Sequence, residues 1–203
     1  MAISNFGELK AKLSSTLFHT RFAPEYPDYT ILFEAAANRR LRVRPMEAMI
    51  PLTTLNGDVA LPTDYLLWRT IRPTVQSPCD ELDYVHPAYL QSVPASTIPQ
   101  LFTIEGSTLR IRPADDIHPY EFHYYQKIPT ITGATDAATN WLLTAHPDVY
   151  IAGVMAELFV KQRNMEAAQL EKARRDELFA EIIQFSALTT GATSQTVRTA
   201  DYF

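Results

Sequence analysis

The chain has 203 residues, of which 46% are hydrophobic and 20% charged; this is the make-up of a folded chain with one core and room for a smaller lobe, not of a disordered one. A formal net charge of -5 argues against a protein that wraps a nucleic-acid backbone, which concentrates Lys and Arg. One cysteine, Cys79, excludes an intrachain disulfide, Met1-Ala2-Ile3-Ser4-Asn5 lacks the pattern of a signal peptide, and Glu157, Lys161 and Arg163 interrupt the apolar runs near Ile151 and Leu158 before any reaches the roughly 20 residues of a membrane helix.

Phe6, Leu9, Leu13 and Leu17 recur at helical spacing and predict an amphipathic helix from Phe6 to Leu17. The prolines at 24 and 27 break it. A second helix is expected from near Asp28, whose carboxylate would cap free amides, through Ile31, Leu32, Ala35 and Asn38 toward Leu41. Its end carries Arg39, Arg40, Arg42 and Arg44, open to three readings: salt bridges along a solvated edge, a protein interface, or nucleic-acid contact.

From Val43 the pattern shortens to strands. Met46, Ala48 and Ile50 alternate up to Pro51, Asn56-Gly57 signals a turn into Val59-Ala60-Leu61, and Leu67 to Arg72 forms a strand anchored by Trp68. Pro73 and Pro78 bracket a loop, and Glu81 to Val85 places Leu82 and Tyr84 on one side of a further strand. The clearest hairpin runs from Phe102 to Ile111 around Gly106-Ser107. It pairs Glu105 with Thr108, puts Phe102, Ile104, Leu109 and Ile111 on one face, and sends Thr103, Arg110 and Arg112 to solvent. Tyr120, Phe122 and Tyr124 alternate in another extended segment.

After a return crossing at Ile131 to Asp136, Asn140-Trp141-Leu142-Leu143 reads as one turn of helix and Pro147 opens the next. Val149, Ala152, Met155, Ala156 and Phe159 form the latter's expected stripe. A bend at Asn164 leads to a last helix with its apolar bias at Met165, Ala168, Leu170, Leu178, Ile182 and Phe185, and with Glu171–Arg175 and Lys172–Asp176 at ion-pair spacing. Beyond Leu188 the chain is too polar to build a core, yet it ends in Tyr202-Phe203.

No residue pattern points to catalysis. Cys79 with His86 lacks any spacing that would bring a base to a nucleophile, Asp115-Asp116-Ile117-His118 suits a solvated loop as well as a metal, the five histidines form no HExxH, and Gly133-Ala134-Thr135 lacks the lysine of a phosphate loop. No catalytic, cofactor or metal residue is assigned. The fold class expected is α+β: a helical body of several packed helices (1–42 and 129–190), an inserted antiparallel β lobe (43–128) and a flexible or partner-bound C-terminal tail (191–203).

Several pieces in this order carry a resemblance: Tyr26-Pro27-Asp28, Leu61-Pro62-Thr63-Asp64-Tyr65-Leu66, Leu109-Arg110-Ile111-Arg112-Pro113, Tyr124-Tyr125-Gln126-Lys127-Ile128-Pro129, Thr139-Asn140-Trp141-Leu142-Leu143-Thr144 and Pro147-Asp148-Val149-Tyr150. As a series covering Tyr26 to Phe185 they resemble the head-to-tail connector adaptor proteins of tailed bacteriophages and phage-derived gene transfer agents. The resemblance implies a structural protein of the virion neck, made in the bacterial host cytoplasm and assembled as a dodecameric ring beneath the portal. Such a ring extends the DNA conduit, passes genomic DNA without sequence-specific binding, and links the capsid to stopper or tail proteins. Another neck or tail-completion protein, or an enzyme with an unrecognised site, are the alternatives. Phe185, Tyr202 and Phe203 are the residues expected to face the portal or an adjacent subunit, since aromatic anchors concentrate binding energy.

Overall fold

The computed structural model describes residues 3–18, 20–74, 81–90, 99–114, 119–132 and 135–190. The helices are α1 (Phe6–Leu17), α2 (Tyr26–Arg40), α3 (Pro87–Leu90), α4 (Trp141–Ala145), α5 (Pro147–Lys161) and α6 (Met165–Thr190); the strands are β1 (Glu47–Leu52), β2 (Asp58–Ala60), β3 (Tyr65–Pro73), β4 (Asp83–Tyr84), β5 (Leu101–Glu105), β6 (Thr108–Arg112) and β7 (Tyr120–Gln126). The fold is mixed α+β, several packed helices with an inserted, largely antiparallel β lobe. Contacts divide the chain into two units, Met1–Pro45 with Ile128–Phe203, and Met46–Lys127.

In the β unit, one sheet has the order β1-β7-β3 and the other β2-β6-β5-β4. The expected hairpin is present in the expected register, with Glu105 opposite Thr108, Ile104 opposite Leu109 and Phe102 opposite Ile111. Asn56 and Gly57 have φ of 56° and 74°, the pair of positive values that a tight hairpin turn between twisted strands demands. Alternation along β7 buries Tyr120, Phe122 and Tyr124. They join Leu52, Ile71, Phe102, Leu109 and Ile111 in a core drawn from both sheets. Trp68 stacks on Tyr84 at 5.5 Å and meets Phe102 edge-on at 5.2 Å, arrangements the aromatic quadrupole favours.

Two expectations for this unit need correction. Pro51 does not end its strand, because β1 lies at a sheet edge where a missing amide donor leaves no ladder bond unmade. Thr103 is fully buried rather than solvated; α3 packs against β5, and among the described residues the Thr103 hydroxyl has no hydrogen-bond partner. The lobe also holds one parallel pair, β4 with β5.

The helical unit is built on α5, which buries Val149, Tyr150, Ala152, Gly153, Val154 and Met155 among others. A helix apolar on nearly all sides must be enclosed, and α1, α2, α4 and α6 pack on it. The α1 helix forms where expected, capped by the Asn5 side chain accepting from the Glu8 amide at 2.9 Å. Its first amides donate to the return segment, Phe6 N to Ala138 O at 2.9 Å and Gly7 N to Asp136 O at 2.8 Å.

The α2 helix begins at Tyr26 after a short 3-10 turn, so Asp28 lies in the first turn instead of capping it. Its buried face is Tyr26, Thr30, Phe33, Glu34 and Ala37, while Ile31 and Leu32 are 50% and 53% exposed. Phe159 is only half-buried, and among the described residues of α6 the buried ones are Ala168, Phe179 and Ile182, with Met165 and Leu170 exposed. The two expected i,i+4 ion pairs do not form. Glu171 pairs with Arg174, and Asp176 with Arg175 and with Arg40 of α2; burial raises the Asp176 carboxyl, but the hydrogen bonds from Arg175 and Arg40 outweigh it and hold the group below its usual range.

Candidate functional site

The return of the chain into the helical unit is fixed by polar side chains of α2. Asn38 Oδ1 accepts from the Ile128 amide at 2.8 Å, and one turn earlier Glu34 Oε1 accepts from the Ile131 amide at 3.0 Å. Tyr150 of α5 donates its hydroxyl to the same Glu34 oxygen at 3.1 Å and accepts from Asn140 Nδ2 at 2.6 Å. Asn140 Nδ2 also donates to Pro129 O at 2.7 Å, while its Oδ1 caps α4 by accepting from Leu143 N at 2.8 Å. One asparagine thus ties the return segment, α4 and α5 together. This network sets where Trp141, the first residue of α4, is held.

Glu34 is the buried charge of this network. Burial pushes its carboxyl above the ordinary value of 4.5, with hydrogen bonds from Thr130, Ile131 and Tyr150 opposing. Burial, and then the neighbouring Glu34, push the Tyr150 phenol up. A carboxyl whose folded pKa is raised destabilises the fold as pH climbs from the unfolded to the folded value. Glu34→Gln keeps the acceptor for Ile131 and Tyr150 without the charge. It is therefore expected to match or exceed wild-type stability at pH 7, with any advantage gone below pH 4.5. Denaturant titrations across pH 4–8 read this directly, and a Gln variant less stable than wild type only at neutral pH would refute it.

Held this way, Trp141 and Ala145 of α4 face Ile182 and Phe185 of α6 across a groove of about 500 Å³ that is also lined by Val43 and Pro45. A second hollow of about 390 Å³ lies along the same stretch of α6, where Asp148, Val149, Glu181 and Leu188 line it. Phe185 and His146 border both. Past Ile182, the last apolar residue of α6 that is buried, Ile183, Phe185 and Leu188 are 41%, 69% and 70% exposed. An exposed apolar ridge beside a groove is the usual mark of a binding surface. Its rim is charged in two senses, Asp148 and Glu181 by the smaller hollow and Arg44 by the larger.

Of the residues expected to take part in assembly, Phe185 stands on this ridge, and Tyr202 and Phe203 lie outside the described residues. Cys79, Asp115, Asp116, His118 and Gly133 also lie outside them. The arginine cluster divides. Arg40 is engaged with Asp176 at 2.7 Å and lies over the Phe179 ring, Arg42 donates to Asn38 O at 2.7 Å, and Arg39 is exposed. Trp141, read from the sequence as part of one turn of helix, also stands in the groove wall; the apolar residues at 43, 45 and 141 give no local sign that they converge. Among the described residues, no group of three or more His, Cys, Asp or Glu is arranged to hold a metal ion, and no helix is long and apolar enough to cross a membrane.

A sequence model of the family described as SU10 adaptor protein matches residues 4–199. No curated protein matches the chain.

Proposed function

Because the chain belongs to the SU10 adaptor family, a family of phage head-to-tail adaptor proteins with a structural role in the neck, we propose that it forms a ring beneath the portal protein, extends the DNA conduit, and joins the capsid to the stopper or tail proteins that follow. The observation that carries this reading is the family match over nearly the whole chain. The exposed ridge Ile183, Phe185 and Leu188 at the end of α6 supports it, since a chain that works alone gains nothing from leaving those side chains in water. The net charge of -5 suits a passage that DNA slides through without sticking. In this reading Phe185, Tyr202 and Phe203 contribute to assembly with the portal or an adjacent copy, and the protein resides at the capsid-tail junction.

Phe185→Ala and removal of residues 192–203 test it separately. Phe185 is 69% exposed, so its truncation should change stability by no more than about 0.5 kcal/mol. Loss of an interface aromatic, by contrast, removes a disproportionate share of binding energy. The expected result is an unchanged circular-dichroism spectrum and melting temperature for both variants, with reduced binding to purified portal and reduced incorporation into particles. Normal portal affinity and normal incorporation of both variants would reject these contacts. Particle imaging that places the chain elsewhere than between portal and tail would reject the adaptor position.

A further inference from the structure

A second apolar surface lies on a different helix of the same unit. Because α2 turns Tyr26, Thr30, Phe33 and Ala37 inward, its outer stripe presents Ile31 and Leu32, each about half exposed. Asp28 precedes them by one turn and Arg39 follows by two, so that Asp28, Leu32, Ala35 and Arg39 fall at i, i+4, i+7 and i+11 on one helix face. The stripe is thus acidic at its start, apolar in the middle and basic at its end. The groove on α6 carries the complementary charges, with Arg44 lining its larger hollow, Glu181 and Asp148 lining the smaller one beside Leu188, and Phe185 bordering both.

We propose that α2 of each copy seats in the α6 groove of the next copy, with Ile31 and Leu32 against Phe185 and Leu188, Arg39 toward Glu181, and Asp28 toward Arg44. The two surfaces share no residue, so the contact joins unlike faces. Such a contact repeated about an axis closes a ring, whereas a two-fold dimer would need one face to match itself. The apolar centre excludes water while the opposite charges at its two ends fix the direction in which the helix lies. This assignment rests on the ring reading above and names the surface that closes it.

The test uses the full-length chain with Cys79 replaced by serine, carrying Leu32→Cys and Leu188→Cys together, assembled into particles and treated with a mild thiol oxidant. Non-reducing electrophoresis should show a ladder of covalent multimers that neither single-cysteine variant gives. Arg39→Glu should lower incorporation several-fold while the melting temperature holds, and adding Glu181→Arg should recover it. A ring visible in particles without the ladder, or no recovery by the charge exchange, overturns the assignment and leaves the ring reading standing. Disulfides from Leu188→Cys to the portal, or a ladder that appears only after residues 192–203 are removed, give the groove to another occupant and overturn it as well. Absence of the wild-type chain from particles removes the ring reading and this assignment together.

Discussion

Gly153→Ala should destabilise the protein by about 2 kcal/mol, although alanine is the better helix former. Gly153 lies in α5 directly beneath Phe33 of α2, and a methyl group there would stand 2.0 Å from Cδ2 of the ring and 2.5 Å from Cε2. The ring has nowhere to go. Phe33 is 1% exposed, tilted on Tyr150 at 4.6 Å and stacked on Phe179 at 6.1 Å. Overpacking of a closed core typically costs about 1–3 kcal/mol, and more where no atom can yield; the helix-propensity gain of about 1 kcal/mol offsets part of it. The decisive measurement is the double-mutant cycle. Phe33→Ala alone should cost about 3–5 kcal/mol, but in that background Gly153→Ala should become stabilising by about 1 kcal/mol, because the clash is gone and the propensity gain remains. A Gly153→Ala effect of the same sign and size in both backgrounds would show that the two residues do not meet as described.

The same contact explains what was and was not readable along the chain. The hairpin from Phe102 to Ile111 was legible because its information is local: a turn dipeptide, an alternation, and a register that follows from both. In α2 the run Ile31-Leu32-Phe33 offers apolar side chains around much of the helix, and periodicity cannot choose among them. The choice is made by the notch at Gly153, more than a hundred residues away, which admits the Phe33 ring and leaves Ile31 and Leu32 outside. Asp176 tells the same story for charge, since Arg40 of a distant helix, together with the adjacent Arg175, took the place of the expected Lys172. Thr103 was misplaced because periodicity cannot reveal a helix as short as α3, which packs against β5.

The candidate site was partly legible for a similar reason. Phe185 follows Ile182 by three residues, the spacing of one helix face, so a stripe was visible; that Ile182 is buried and Phe185 exposed depends on where α4 and residues 43–45 end against α6. Asn140 was legible only as the first residue of a helical turn. Its side chain joins α4, α5 and the return segment, and those partners are chosen by the fold and by no motif.

Asn140→Ala should therefore cost about 3 kcal/mol, more than the loss of a helix cap alone. Removing an N-cap side chain costs about 0.5–2 kcal/mol, and here the Pro129 carbonyl also loses its donor at 2.7 Å and the Tyr150 hydroxyl its donor at 2.6 Å in a buried setting. Each of these two lost hydrogen bonds adds about 0.5–1.5 kcal/mol, since the Tyr150 hydroxyl keeps its bond to Glu34 and Pro129 is exposed. Two further substitutions separate these contributions. Asn140→Ser retains a cap acceptor and should recover only the smaller share. Asn140→Asp also retains the acceptor for the Leu143 amide, but it replaces the amide donor with a carboxylate oxygen facing the Pro129 carbonyl and brings a second acid near Glu34, whose own carboxyl burial already raises. A buried carboxyl in that position binds a proton more readily folded than unfolded, so the aspartate variant should be weakest at neutral pH and should regain stability as pH falls toward the ordinary carboxyl range. Urea titrations of the three variants at several pH values would read this order. Because Asn140 caps the helix that carries Trp141, the same variants should, in the proposed ring, bind neighbouring copies less well wherever they remain folded. A pH-independent aspartate variant, or an alanine variant costing under about 1 kcal/mol, would show that the network does not carry the junction on which the α6 groove depends.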